Sequence, residues 1–433
     1  MPYKYRGSSG SDAGTPKQQH AALRRAERGA AASGKERLDE MIRPSKRMKE
    51  FMTYAFAEVD KAKSSAQAEG YRIIDFGVGD PTEPLYDGAV RALQRGASEH
   101  SRSGYPSYIG MPRFRQAAAG WLKKRFSVEA DPDTQITSTA GSKEAIFHFP
   151  FAILDPGESV LMPSIGYPPY RGGTVFAGGI PEYYQLKEEN GFLPDLAEIE
   201  RKISANSGIR MIWINYPNNP TTAMATDAFY KGLIELTQKY GVVIASDEAY
   251  TEMYVDKKPR SVLEFSDDWS NIIVFQSLSK RSNATGLRVG FAAGGKDLIS
   301  YYRKLRTQLD SGVANAVQEA AIAALGDEGH VQEMRALYDE KRKLLTAALD
   351  TAGIRYWADS TFYVWAKIHG SSIDFSKRML TLDSEKKVGI NVTPGGMLAL
   401  GDAPNADGYV RFALVPHVDE VRLAAELMRA KLG

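Results

Sequence analysis

From Tyr71 onward, short β-branched or apolar runs alternate with longer stretches of helical periodicity. The runs are Arg72–Phe76, Gln135–Ser138, Ser159–Met162, Arg210–Asn215, Val242–Ser246, Ile272–Gln276 and Arg288–Ala293. Helical patterns fall between them, as at Met111–Arg125, Ser142–Ile153 and Ala228–Lys239. Strands that alternate with helices predict crossover connections and a mainly parallel sheet covered on both faces. The run Met211-Ile-Trp-Ile-Asn215 is almost continuously apolar, as a strand buried on both faces must be. Past Gly329 the texture changes to a long charged helix (330–353). A strand TFYVWAKI (361–368), a strand YVRFALV (409–415) and an amphipathic helix Val418–Lys431 follow. The expected architecture is α/β: a large domain with a mainly parallel seven-stranded sheet flanked by helices, then a smaller α+β domain. The expected boundaries are a flexible basic extension over 1–44, an arm and part of the small domain over 45–85, the large domain over 86–325, and the C-terminal small domain over 326–433.

Composition narrows the function. The 433 residues include no cysteine, which excludes a disulfide scaffold, a thiolate metal site and a cysteine nucleophile. It suits a reducing compartment, so a cytoplasmic location is expected. Residues 1–50 hold 12 Lys/Arg against 6 Asp/Glu, leaving 43 against 47 in the rest. The mildly acidic body has no electrostatic footprint for nucleic acid. The longest apolar stretch, Ala145–Leu154, is interrupted by His148 and Pro150. It is about half the ~20 residues a membrane span needs. The six histidines have no pairwise metal spacing and HExxH is absent, so no metal is expected.

The chemistry gathers at strand ends. Lys280 follows the run IIVFQ in Ser277-Leu-Ser-Lys280. A lysine there is costly unless paired or neutralised, and desolvation lowers its pKa toward that of a base or imine former. Asp247-Glu-Ala-Tyr250 follows the strand VVIAS, and Asn215-Tyr-Pro-Asn-Asn219-Pro-Thr221 follows MIWI. Carboxyl ends of parallel strands face the crevice where α/β ligands bind. Thr139-Ala-Gly141-Ser142-Lys143-Glu144 follows a strand and opens a helix, as a phosphate cradle does. A phosphate cradle, an amide, an acid with a nearby phenol, and a lysine together suit a phosphorylated pyridine aldehyde.

These segments resemble a known family. NNPT (218–221), SDEAY (246–250), SLSKRSNATGLRVGF (277–291) and YVRFALV (409–415) occur in order. The chain resembles the fold-type I, class I/II pyridoxal-phosphate aminotransferases over roughly residues 45–430. The resemblance implies that Lys280 bonds the cofactor aldehyde and shuttles the proton, while Asp247 pairs with the ring nitrogen. It implies that Asn219 and Tyr250 meet the ring oxygen, and that Ser277, Arg288 and the Gly141-Ser142-Lys143 turn hold the phosphate. Tyr167 stacks on the ring face. Arg411 forks onto the substrate α-carboxylate, and Gly79 contacts the substrate. Tyr105 reaches the cofactor of a neighbouring subunit, which implies a homodimer. The implied activity moves an amino group between an L-amino acid and a 2-oxo acid. Arg281 and Lys143 are candidates for a distal carboxylate. Thr222, where NPT is usually followed by Gly, and Leu287, usually aromatic, depart from the pattern.

Other readings stay open on the sequence. A lyase, synthase or oxidase would share the same ring contacts, and a non-catalytic aminotransferase-like binding module would share the fold. Ser277-x-x-Lys280 also fits an acyl-transfer motif, but no K-T-G accompanies it. Gly77-x-Gly79 lacks the third glycine of a dinucleotide loop.

Overall fold

The computed structural model describes residues 43–51, 57–404 and 406–432. The chain divides into a short N-terminal unit, 1–54, and a unit that holds everything from 55 onward. In the first, Ser45 caps a one-turn helix, Lys46–Lys49, its hydroxyl accepting from the Met48 N–H at 3.2 Å. Nearly all of the expected basic extension lies outside the described residues.

Among its described residues the second unit contains thirteen strands in chain order: β1 Arg72–Asp75, β2 Ile136–Thr139, β3 Ser159–Pro163, β4 Ile180–Tyr184, β5 Ile209–Asn215, β6 Val243–Asp247, β7 Ile272–Ser277, β8 Gly290–Gly294, β9 Tyr356–Trp357, β10 Tyr363–Lys367, β11 Val388–Asn391, β12 Thr393–Pro394 and β13 Tyr409–Ala413. Seven of them form the large sheet in the order β2-β8-β7-β6-β5-β3-β4. Only β8 runs against the rest. Alternate residues enter different cores. Ile212, Ile214, Ile272 and Val274 join one cluster, and Met211, Trp213, Ile273 and Phe275 join the other. A strand that buries both faces must be apolar throughout, which accounts for the run at Met211–Asn215.

Two expectations are corrected. The run at Arg72 is not in the large sheet. It pairs in parallel with β11, Arg72 opposite Val388. The seventh strand is β4, whose IPEYY sequence tolerates Pro181 because the strand lies at the sheet edge. The helix expected over Ser142–Ile153 is two helices, Ser142–His148 and Pro150–Ile153. Pro150 has no N–H to give an earlier carbonyl and opens the second helix at its first position.

The other strands form a four-stranded antiparallel sheet, β12-β13-β10-β9. Its core includes the long helix Gly329–Thr351, which buries Val331, Met334, Tyr338, Leu345 and Leu349 at helical spacing. No helix among the described residues is long and apolar enough to cross a membrane.

Candidate active site

The carboxyl ends of β5, β6 and β7 open on one cavity of about 600 Å³. Gly79, Ser142, Lys143, Tyr167, Asn219, Asp247, Tyr250, Ser277, Lys280, Arg288 and Arg411 all line it. Gly141 stands at its edge in the left-handed region, at φ +76°. That conformation strains any residue with a Cβ, and a Cβ there would also displace the Arg288 guanidinium, 2.5 Å away, so the position favours glycine.

Lys280 lies in the short helix Leu278–Arg281, capped by Ser277, whose Oγ accepts from the Ser279 N–H at 3.2 Å. That bond uses the Ser277 oxygen as acceptor and leaves its O–H as a donor at the cavity wall. Lys280 Nζ donates to the Gly79 carbonyl at 2.6 Å. Burial pushes the Lys280 ammonium down to about 8; Asp80 opposes this, and Arg411 and Arg288 add to it. A Cβ on Gly79 would fall 2.1 Å from the Tyr363 hydroxyl, so the loop passes Tyr363 only as glycine.

Asp247 ends β6, in register with Asn215 on β5. Its Oδ2 accepts from the Tyr170 hydroxyl at 2.7 Å and its Oδ1 from the Ala249 N–H at 3.3 Å. Burial pushes the Asp247 carboxyl up to about 6, against these hydrogen bonds and the charge of Lys280. Asn215 ties the two strand ends together. Its Nδ2 donates to the Asp247 carbonyl at 2.8 Å, and its Oδ1 accepts from the Asn219 N–H at 2.9 Å.

Arg411 enters from β13, opposite Trp365 and Thr393. It donates to Asn219 Oδ1 at 2.8 Å and to the Gly77 carbonyl at 2.9 Å. Its Nε is buried without a partner. Tyr363 lies beneath it, the guanidinium carbon 4.4 Å from the ring centre, and shares a 3.0 Å hydrogen bond with the Tyr250 hydroxyl.

Charge decides what the cavity admits. Among the described residues, Lys143, Arg288 and Arg411 have no carboxylate in ion-pair reach. Arg288 bonds only carbonyls and one hydroxyl. Cations kept without anions suit ligands that bring their own: a phosphate beside Gly141, Lys143 and Arg288, and a carboxylate beside Arg411. The residues present therefore fit pyridoxal phosphate.

Some candidates stand elsewhere. Tyr105 is 92% exposed on the loop before Gly110 and does not line the cavity. Arg281 is corrected as a substrate ligand. It is buried, donating to the Ala324 carbonyl and to Glu328 Oε1, both at 2.6 Å, with Trp121 under its guanidinium. Thr222 and Leu287 do not line the cavity either. Thr222 is fully buried at φ +64°, a strained position for a β-branched residue and the reason glycine is the easier choice there. Sequence reasoning missed Asn215, Tyr170 and Tyr363. Asn215 had a visible signal, a polar residue closing an apolar strand.

Beside Asp247, the fully buried Glu248 accepts from Ser246, Ser261 and the Val262 N–H through Oε1, and from Gln276 through Oε2. Burial pushes its carboxyl up to about 7. A carboxyl raised in the folded state stabilises below its ordinary pKa, and that stability is lost as pH rises through 7. The wild-type melting temperature is expected to fall between pH 5 and 8. Glu248→Gln is expected to flatten that fall, as differential scanning fluorimetry over the range would show. An unchanged slope would exclude Glu248 as its source.

Fold and cavity together define a pyridoxal-phosphate-dependent enzyme. The sequence model of the aminotransferase class I and II family matches residues 71–427, and the chain belongs to that family. Among curated proteins it is 41% identical over 394 residues to the LL-diaminopimelate aminotransferase of Aquifex aeolicus (strain VF5), covering 90% of this chain and 99% of that one. It is 40% identical to the LL-diaminopimelate aminotransferase of Halothermothrix orenii, covering 89% and 97%. Among solved structures, an aminotransferase from Neisseria meningitidis Z2491 superposes with a TM-score of 0.81 at 32% identity, covering 90% of this chain and 100% of that one. The chain is a pyridoxal-phosphate-dependent aminotransferase, and amino transfer takes precedence over the lyase, oxidase, acyl-transfer and binding-module readings.

Proposed function

We propose that this aminotransferase takes its amino group from an amino dicarboxylate of the LL-diaminopimelate type and passes it to a 2-oxo acid. The observation that carries the substrate reading is near-full-length likeness, at about 40% identity, to enzymes of that name. The cavity agrees with it. Lys143, at the phosphate cradle, and Arg411 are cavity cations without a carboxylate partner among the described residues, which suits a donor with two carboxylates. Steady-state kinetics with LL-diaminopimelate, its meso isomer, aspartate and aromatic amino acids would test the reading. The LL isomer is expected to give the highest kcat/KM; a monocarboxylate donor in that place would overturn it.

Pyridoxal phosphate supplies the aldehyde that takes up the amino group and a ring that draws electrons from the substrate α-carbon. The chain does the rest. Arg411 grips the α-carboxylate and, with Asn219 and Gly79, fixes the α-carbon hydrogen toward Lys280. Lys280, with its ammonium near 8, has a neutral fraction at working pH that accepts that proton and returns it one atom along. Asp247 would hold the charge of the ring nitrogen, and Asn219 and Tyr250 would bond the ring oxygen. Tyr167 would cover the ring face, and Ser277, Arg288 and the Gly141–Lys143 turn would hold the phosphate. Tyr105, exposed and away from its own cavity, completes the site of a second copy in a homodimer. Residues 86–325 form the cofactor-binding domain, and the C-terminal small domain from residue 326 carries Arg411.

Arg411→Lys keeps the charge and loses the planar fork. One charge-assisted hydrogen bond is worth about 1.5–3 kcal/mol. The donor KM is therefore expected to rise about 10- to 100-fold. An unchanged KM would remove Arg411 from the carboxylate site.

A further inference from the structure

We propose that Tyr170 is a positioning residue for amino transfer, its phenol holding the Asp247 carboxylate as an oriented anion toward the cofactor's ring nitrogen. The inference rests on the role proposed above for Asp247.

Tyr170 is fully buried and does not line the cavity. Its ring stacks on Trp213 of β5, with centroids 5.0 Å apart and planes 19° from parallel. It lies in the helix Pro169–Phe176, which packs tightly on the helix Ser142–His148. A Cβ on Gly173 would meet the Phe147 carbonyl at 2.4 Å. The phenol is thus placed by stacking and by close helix contact, independently of any ligand. Its hydroxyl donates to Asp247 Oδ2 at 2.7 Å, whereas Oδ1 has only the longer Ala249 N–H bond at 3.3 Å. Oδ2 is therefore fixed, and a donor on one oxygen favours the ionised carboxylate. A phenylalanine would fill and stack the same space; what the hydroxyl adds is the bond to Asp247. Tyr167, three residues earlier, lines the cavity and touches Tyr170 edge-on at 5.8 Å. One short segment thereby serves both the ring face and the acid at the ring nitrogen. The titratable groups facing the pair are Lys280, Tyr250 and Tyr167.

The test uses the full-length holoenzyme of Tyr170→Phe, loaded with pyridoxal phosphate labelled with ¹⁵N in the ring. The ring ¹⁵N resonance is expected to move toward the unprotonated position, with kcat down about 10- to 100-fold and the donor KM unchanged. In the apoprotein, the pH at which stability declines is expected to rise by about one to two units. Asp247→Asn is expected to remove the Asp247 part of that dependence, leaving the part due to Glu248, and Tyr170→Phe to add nothing to it. Replacing Tyr170 by 3-fluorotyrosine, a stronger donor of nearly the same size, should move the ¹⁵N signal and the pH midpoint the opposite way; this arm serves even if the phenylalanine variant folds poorly. A wild-type ¹⁵N signal in both position-170 variants, with one uniform stability loss at every pH, would reduce Tyr170 to packing. A wild-type signal in Asp247→Asn would instead overturn the role of Asp247 itself.

Discussion

Lys280→Ala is expected to abolish amino transfer, with kcat/KM down by about 10⁴-fold or more. Two functions leave with one side chain: the bond that anchors the cofactor aldehyde and the base that moves the α-proton. The fold should survive. Lys280 sits at the cavity wall, and its one polar bond is to the Gly79 carbonyl, which water can take over in the enlarged space. Lys280→Arg separates charge from chemistry. It keeps a cation beside Asp247, yet a guanidinium neither forms the aldehyde bond nor gives up its proton near neutral pH. Both variants are expected to lack the visible absorption of the cofactor-bound protein while keeping its far-ultraviolet circular dichroism. Activity within tenfold of wild type in Lys280→Ala would place the chemistry elsewhere.

Asp247→Asn is expected to divide function from stability. Removing the anion opposite the ring nitrogen should lower kcat by about 10²–10³-fold, the magnitude typical of losing one preorganised electrostatic partner. The apoprotein should gain. Asp247 is buried, with its carboxyl pushed up to about 6 from an ordinary 3.8, so its ionisation weighs against folding as pH rises through 6. Two units of pKa are worth about 3 kcal/mol. Asparagine carries no charge to bury, and apo Asp247→Asn should be more stable than wild type at pH 8 and little changed at pH 4. Melting temperatures at the two pH values, beside kcat, check both halves. A loss of stability at pH 8 would show that the carboxylate serves the fold rather than the cofactor. A residue that costs stability and is needed for turnover belongs to a functional site.

The parts of this site legible in the sequence share one physical cause. Strands buried on both faces read as unbroken apolar runs, so the polar residues that end them stand out. Asn219, Asp247 and Lys280 were visible because each follows such a run. Glycine was legible at Gly141 and Gly79, where the chain approaches other groups too closely for a Cβ. What stayed hidden depends on side-chain direction or on distant pairing. Tyr170 and Tyr363 carry no local signal of a site, and only the fold turns their hydroxyls to Asp247 and Tyr250. Arg281 neighbours Lys280 in sequence, but on a helix adjacent residues point apart, and Arg281 turns to Glu328. The pairing of β1 with β11 joins residues more than three hundred positions apart and leaves no local signal. The edge strand β4 is half-exposed and lacks the apolar run that marks its neighbours.

The most direct test of the whole account is a single half-reaction. Holoenzyme is mixed with LL-diaminopimelate in the absence of an oxo acid, and the cofactor's absorption is followed while products are identified by mass. The account predicts that the visible band is lost, that one 2-oxo acid forms per cofactor with no free ammonia, and that adding a 2-oxo acid restores the band. A band that persists with every amino donor, or one that fades with release of ammonia, carbon dioxide or peroxide, would contradict amino transfer at Lys280.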